Sequence, residues 1–390
     1  MPDHKRPIPR LRFPEFRDVE PWEMQRLGEV ITLEYGSSLP ETQRNKGRYP
    51  VVGSNGVVGF HDQALVAGPA IVVGRKGSAG QVSWIKSACY PIDTTYYVKL
   101  RSKGDKLPFV RRLLEQHRLA ELASSGGVPG LNRDDVYVIK TAIPSGPEQQ
   151  KIADCLGSLD DLIRAEEAVL EALRAHKTGL MQQLFPRAGE TTPRLRFPEF
   201  RDAGPWEAKR LGNKGIAEFV RKRVAPEDIP LGHYVSTVNL LPDFGGLSPT
   251  PEAPPPNSAI AYREGDILMS NIRPYLKKIW IADRSGGASN DVLVARPEKN
   301  IVCGFLGQFL MSDRFIVHVM DGAKGVKMPR GDLEKIRDFE VPLPQKSEQQ
   351  KIADCLGSLD ELIRAREGWL GALRDHKIGL MQQLFPQEVG

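Results

Sequence analysis

Two stretches of this chain are nearly the same stretch. Residues 148–186 read EQQKIADCLGSLDDLIRAEEAVLEALRAHKTGLMQQLFP, and residues 348–386 read EQQKIADCLGSLDELIRAREGWLGALRDHKIGLMQQLFP. At a fixed offset of 200, 32 of the 39 positions are identical. A repeat of this length constrains the architecture before any local propensity is weighed. Apolar residues of the first copy fall at Ile152, Leu156, Leu159, Ile163, Leu170, Leu173, Leu180 and Leu184. That alternation of three and four is the seam of a coiled coil. Pro147 precedes the segment and Pro186 closes it, as helix punctuation should. About 38 helical residues make a rod of roughly 57 Å, which cannot bury its stripe alone. The second copy is the obvious partner.

A shorter repeat marks the boundaries. RLRFPEFR occurs at 10–17 and again at 194–201, followed each time by Pro-Trp-Glu (21–23, 205–207) and Arg-Leu-Gly (26–28, 210–212). The chain is therefore two tandem units. The expected plan is a leader (1–24), a globular part (25–146), a helix (147–186), a linker with the second leader (187–207), a second globular part (208–346), a second helix (347–386) and a tail (387–390). The fold class is α+β: two globular α/β domains, each followed by a long helix, with the helices pairing as an antiparallel coiled coil of pseudo-two-fold symmetry.

The globular parts are alike only in outline. Residues 50–59, 70–80 and 94–100 carry β-branched and aromatic runs broken by glycine turns, and a helix is predicted near 108–123. In the second part strands are predicted near 233–239, 266–270, 278–282 and 292–296, with a helix near 304–319 and a stiff proline-rich loop at 249–256.

At 390 residues, 40% hydrophobic and 26% charged, the chain suits a soluble protein with more than one core. A net charge of +5 permits nucleic acid as a partner without demanding it. Four cysteines without a CxxC pair argue against a disulfide framework or a zinc site and fit a reducing cytoplasm. The opening residues contain no apolar h-region, and no run of about 18 apolar residues suggests a membrane span. An Asn-Pro-Pro-Tyr methyltransferase motif, a GxGxxG after a strand, a Walker loop, a nuclease carboxylate centre, HExxH and a nucleophile elbow are all missing from the sequence. No catalytic or metal-binding residue is therefore assigned.

Polar loops are the better candidates. The first globular part offers Arg75, Lys76 and Ser78 in a glycine-flanked turn after a strand, with Ser54, Asn55, Arg44, Asn45 and Lys46 in neighbouring loops. The second offers Ser270, Asn271, Arg273, Tyr275, Lys277 and Lys278 after a strand, together with Arg221, Lys222, Arg223, Lys324 and Lys327. Arginine and lysine reach phosphates and guanine edges, and asparagine matches adenine. Each cluster taken singly also reads as an ordinary solvated loop; one in each unit favours DNA binding.

The rods are identical beyond the needs of the seam. Gln149, Gln150, Lys151, His176 and Lys177, with Gln349, Gln350, Lys351, His376 and Lys377, recur although packing does not call for them. Two matching surfaces suit two copies of one partner protein. Recent duplication or recombination is the competing account. Five of the seven differences cluster near the rod midpoint, where an antiparallel crossing would set Glu166 opposite Arg366 and leave Trp369 to fill space beside a small neighbour.

Taken together, the paired EQQKIADCLGSLD helices, the Pro-Trp-Glu…Leu-Gly leaders, YPVVGSNGVVG, VGRKGSAG and GDILMSNIRPYL (265–276) resemble the specificity subunit of a type I DNA restriction–modification system over nearly the whole chain. The resemblance implies a non-catalytic subunit whose globular parts are target recognition domains, each reading half of a split, asymmetric double-stranded DNA sequence. It implies that the rods hold two methyltransferase subunits, which bring S-adenosylmethionine for adenine methylation. A motor-nuclease subunit would add ATP and Mg, and no membrane is involved. A self-sufficient methyltransferase and a coiled-coil scaffold without DNA specificity are the alternatives. Exchanging residues 25–145 for those of a relative is expected to change one half of the methylated sequence; mapping methylated adenines checks this, and a change in both halves or neither contradicts the modular plan.

Overall fold

The computed structural model describes residues 7–124, 127–248, 252–254, 257–325 and 327–386. The first six residues of the leader, the tail 387–390 and Pro249, Thr250, Pro251, Pro255 and Pro256 of the proline-rich loop lie outside them. The chain divides into two compact units, one of them built from two separate runs of sequence. Unit 1 is residues 1–167 with 369–390, and unit 2 is residues 168–368.

In unit 1, four strands form an antiparallel sheet in the order Ile31–Tyr35, Thr95–Leu100, Ala70–Gly74, Val82–Ile85. The strand Ala70–Gly74 is buried on both faces. Ile71 and Val73 join the core under the helix Leu107–Gln116, while Ala70 and Val72 pack with Val52 and Cys89 beside a three-stranded sheet of Gly56–His61, Tyr49–Gly53 and Tyr90–Pro91. A strand covered on both sides reads as a continuous apolar run rather than an alternation. The predicted 108–123 helix stops earlier, because Arg118 turns left-handed (φ 43) and a short 3-10 turn, Leu119–Leu122, follows.

Unit 2 repeats this plan with other residues. Its main sheet runs Ala217–Phe219, Val292–Pro297, Ile267–Ser270, Ile279–Ile281. The strand predicted near 233–239 is reduced to Tyr234–Val235. The single helix predicted near 304–319 is two, Cys303–Leu310 and Asp313–Asp321, because Ser312 caps the second by accepting from the Phe315 amide.

The repeat segments are helices of 39 residues each, Gly146–Leu184 and Lys346–Leu384. Within unit 1, Lys377 Nζ lies 2.6 Å from Asp160 and Arg374 lies 2.6 Å from Glu167, so the helices run antiparallel there. Within unit 2 the same pairs recur with the helices exchanging roles: Lys177 with Asp360 and Arg174 with Glu367, both at 2.6 Å. That exchange is the correspondence expected of a pseudo-two-fold pair. Trp369 fills no internal space; it is 49% exposed.

Each helix also plugs a core. Phe385 is 1% exposed, stacked 5.5 Å from Phe109 and edge-on to Trp22 at 6.1 Å. Phe185 meets Phe305 and Phe309 in unit 2, where Trp206 lies edge-on to Phe305. Truncating such a buried ring costs about 3–5 kcal/mol.

The leaders clasp the helix starts. Arg12 makes two 2.8 Å bonds to the Glu148 carboxylate, 1% exposed, which also accepts from Trp22 Nε1 at 3.1 Å. Arg196 binds Glu348 in the same way at 2.8 and 2.6 Å. The leader amide of Leu11 donates to the carbonyl of Gln383, as Leu195 does to Gln183. The strands Glu23–Arg26 and Glu207–Arg210 then pair with Lys140–Ile143 and Glu340–Leu343, just ahead of each long helix.

Burial pushes the Asp160 carboxyl up, but hydrogen bonds from Lys377 and Arg112 outweigh it and hold the group below its usual range. A carboxyl depressed in the fold contributes fully above its unfolded pKa of about 3.9, and the contribution is lost as pH falls through the lower folded value. Asp160→Asn is expected to lower stability by about 2 kcal/mol at pH 7, with the gap to the parent chain narrowing below about pH 4. Denaturant titrations at several pH values check both.

Candidate nucleic-acid interface

In unit 1 the strand Ala70–Gly74 runs into the turn Arg75-Lys76-Gly77-Ser78. The amides of Arg75 and Lys76 both donate to the Thr94 carbonyl, which also accepts from Ser54 Oγ at 2.7 Å. One carbonyl thus joins the hairpin turn of Ser54 and Asn55 to the turn of Arg75, Lys76 and Ser78. Gly77 is left-handed (φ +78), and its amide donates to the carbonyl of Pro129; the Leu131 amide returns to Arg75. A second loop therefore clamps the first. Arg44 and Lys46 are not at this turn. Arg44 donates to the carbonyls of Val58 and Leu39, and Lys46 borders a shallow depression beside Arg48, Tyr49 and Asp62.

The clamp brings in two residues that sequence reasoning missed. Tyr35, 51% exposed at the end of its strand, lies under Arg75 (5.2 Å) and Arg133 (5.0 Å) and beside Tyr96. Burial first, then Tyr35, pushes the Tyr96 phenol up against the opposing pull of Arg75 and Arg133. Arg133 was legible only through its context, since Asn132 before it is a helix N-cap.

Unit 2 builds the same clamp. The strand Ile267–Ser270 leads into 271–278, and the Arg273 amide donates to the carbonyl of Pro329 as Gly77 does to Pro129. The Gly331 amide donates to the Asn271 carbonyl, and the Asn271 amide donates to Asp291. The Asn271 side-chain oxygen is buried without a hydrogen-bond partner among the described residues. Arg273 and Lys277 both sit in left-handed backbone (φ 50 and 55), flanking the short turn Pro274–Leu276 that exposes Tyr275 by 48%.

Several other cations of unit 2 have local partners. Lys277 pairs with Asp313, Lys324 with Asp332, and Lys278 donates to the Thr237 carbonyl. Burial first, then Arg273, pulls the Lys278 pKa down. Ser270 closes on Ile272. Arg330, also missed, is 2.9 Å from Asp291. Arg223 bonds Asn290 and Ser258, bordering Asp291, whereas Arg221, Lys222 and Lys327 are exposed. No group of His, Cys, Asp and Glu among the described residues is arranged to hold a metal ion.

The rod residues divide. Gln149 is 1% exposed and is bound by Lys106, Asp105 and Pro144; Gln349, 3% exposed, binds Val302, Asn300 and Pro344. Lys177 and Lys377 are held by Asp360 and Asp160. These four are engaged within their own units, so packing does call for them. Lys151 and Lys351 are half-exposed but engage Glu15 and Glu199 of the leaders. Gln150, Gln350, His176 and His376 are exposed, although each glutamine bonds the aspartate one turn on.

The profile of the type I restriction modification DNA specificity domain matches residues 19–175 and 256–369. The chain is 24% identical over 363 residues to the type I restriction enzyme EcoDI specificity subunit of Escherichia coli, covering 85% of this chain and 79% of that one. It is 24% identical over 387 residues to the MjaVIII specificity subunit of Methanocaldococcus jannaschii, covering 90% and 88%. Among solved structures, the type I S subunit from M. genitalium superposes with a TM-score of 0.70 at 17% identity, covering 98% of this chain and all of that one. No helix among the described residues is long and apolar enough to cross a membrane.

A left-handed arginine stores about 1 kcal/mol that glycine would not. Arg273→Gly is accordingly expected to raise the unfolding midpoint of the chain while weakening its binding to DNA, read by paired denaturation and gel-shift measurements.

Proposed function

The chain belongs to the type I restriction–modification DNA specificity family, and from that premise we propose that it is the DNA sequence-recognition subunit that directs partner methyltransferase and motor-nuclease subunits to a bipartite, asymmetric target. The observation that carries this reading is the repeated clamp. Gly77 on Pro129 and Arg273 on Pro329 hold equivalent loops by the same backbone bond. The side chains they display differ: Lys76, Ser78 and Tyr35 on one, Arg273, Tyr275 and Arg330 on the other. Equal frames with unequal donors suit two unequal half-sequences.

Recognition and chemistry are divided in this reading. The chain itself is non-catalytic, and the specificity subunits among its relatives support that over a self-sufficient methyltransferase or a scaffold without DNA specificity. Adenine methylation comes from two methyltransferase copies carrying S-adenosylmethionine. They would engage the outer faces of the long helices, where Gln150, Gln350, His176 and His376 stay exposed and Leu162 and Leu362 recur at 42% and 41% exposure. ATP and Mg would enter only with the motor-nuclease subunit.

Gel shifts with the methyltransferase present are expected to show sequence-specific binding that weakens steeply with salt, by a slope of about 0.9 for each phosphate neutralised. Methyl transfer is expected only from the complex. Methylation by the purified chain alone, or binding indifferent to sequence, would sink this reading.

A further inference from the structure

Arg75 and Arg133 lie over the same tyrosine, yet only one of them is free to act. The Nε and Nη2 of Arg75 both donate to the Asp93 carbonyl, at 3.0 and 2.7 Å. That guanidinium is a brace between the turn and the segment before Thr94. Arg133, 5.0 Å over the Tyr35 ring, has no hydrogen-bond or ion-pair partner among the described residues. Its donors are uncommitted.

The backbone that carries it is nevertheless held in place. Asn132 caps the short helix by accepting from the Asp134 amide at 3.1 Å. The Leu131 amide donates to Arg75, and Tyr96 Oη, from a side chain 3% exposed, donates to the Leu131 carbonyl at 3.1 Å. The same Tyr96 ring lies 5.1 Å from Tyr35. One buried tyrosine therefore supports both the platform and the backbone just before Arg133.

We propose that Arg133, lying over the Tyr35 ring, reads the major-groove edge of a guanine in the half-site engaged by unit 1. The inference rests on the DNA-recognition reading above and adds the identity of one base. A planar guanidinium offers parallel donors that match guanine O6 and N7 together. A phosphate can take the same fork, and its signature would be weakening that is uniform over sequence and a smaller salt slope. The attraction of the ring for the cation removes beforehand part of the side-chain freedom that binding would otherwise have to quench. Lys76, exposed on the clamped turn, is the simpler point charge and suits the backbone.

The test uses the full chain with its methyltransferase subunit. Methylated adenines in genomic DNA first give the parent motif. Duplexes carrying that motif with each base pair changed in turn are then compared for parent, Arg133→Ala, Arg133→Lys and Tyr35→Leu. Discrimination at one G·C pair of one half-site is expected to fall by roughly ten- to a hundredfold in Arg133→Ala, with other positions and the salt slope unchanged. Arg133→Lys keeps the charge and is expected to lose most of that discrimination; Tyr35→Leu is expected to lose part of it at the same pair. Equal weakening on every duplex with a salt slope smaller by about one would mean a phosphate contact, and an unchanged profile a bystander; either overturns the proposal. Should Arg133→Ala fail to assemble, the other two variants decide. A parent complex without any sequence preference would instead remove the DNA-recognition reading itself.

Discussion

A carboxylate buried at the first turn of each long helix is the constraint on which the rest of the structure depends. Glu148 and Glu348 are each 1% exposed, and an ionised group taken so far out of water is tolerable only when fully met. Arg12 and Arg196 meet them with paired bonds, and their remaining donors close on the leader carbonyls of Val19, Glu20, Ala203 and Gly204. The leader is thereby bound to the helix start, the following strand to the strand before the helix, and the Trp22 and Trp206 rings to the cores that Phe385 and Phe185 enter. Removing one partner would leave an unmatched charge at the point where four segments converge.

This convergence explains an identity that sequence reasoning assigned to outside partners. Gln149 and Gln349 looked superfluous to a seam counted by threes and fours. Each instead satisfies backbone groups next to a globular helix: Lys106 and Pro144 in one unit, Val302 and Pro344 in the other. Periodicity registers apolar stripes and is blind to a buried amide that closes loop ends. The long helices, their antiparallel pairing and the strand runs at 70–74 and 267–270 were legible because burial on a fixed period leaves its mark on residue types. Trp369 was misjudged for the opposite reason, since an indole can stay at a surface when no neighbouring element covers it.

The candidate interface was half visible. Arg75, Lys76 and Asn271 stood out beside glycine turns, but Tyr35 and Arg133 lie 98 residues apart in sequence and meet only through sheet pairing and a clamp. The clamp rests on backbone bonds to the carbonyls of Pro129 and Pro329, which ask for a left-handed donor at Gly77 and Arg273 but leave the neighbouring side chains open. A frame made of such bonds leaves the displayed residues free to vary, so they carry little pattern to read. Arg44 and Lys46 show the converse: basic residues in a loop whose guanidinium or neighbourhood is already engaged along the hairpin.

The bond from Leu11 to Gln383 has the same form as that from Leu195 to Gln183. In unit 2 the bond closes a loop of eleven intervening residues, whereas in unit 1 it joins residues 372 positions apart in sequence. Closing a loop costs entropy that grows with its length, so the unit 1 junction leans more heavily on the packing around it. The same bond is therefore a local turn in one unit and, in the other, a closure that the Arg12 clasp and the buried Phe385 ring hold in place.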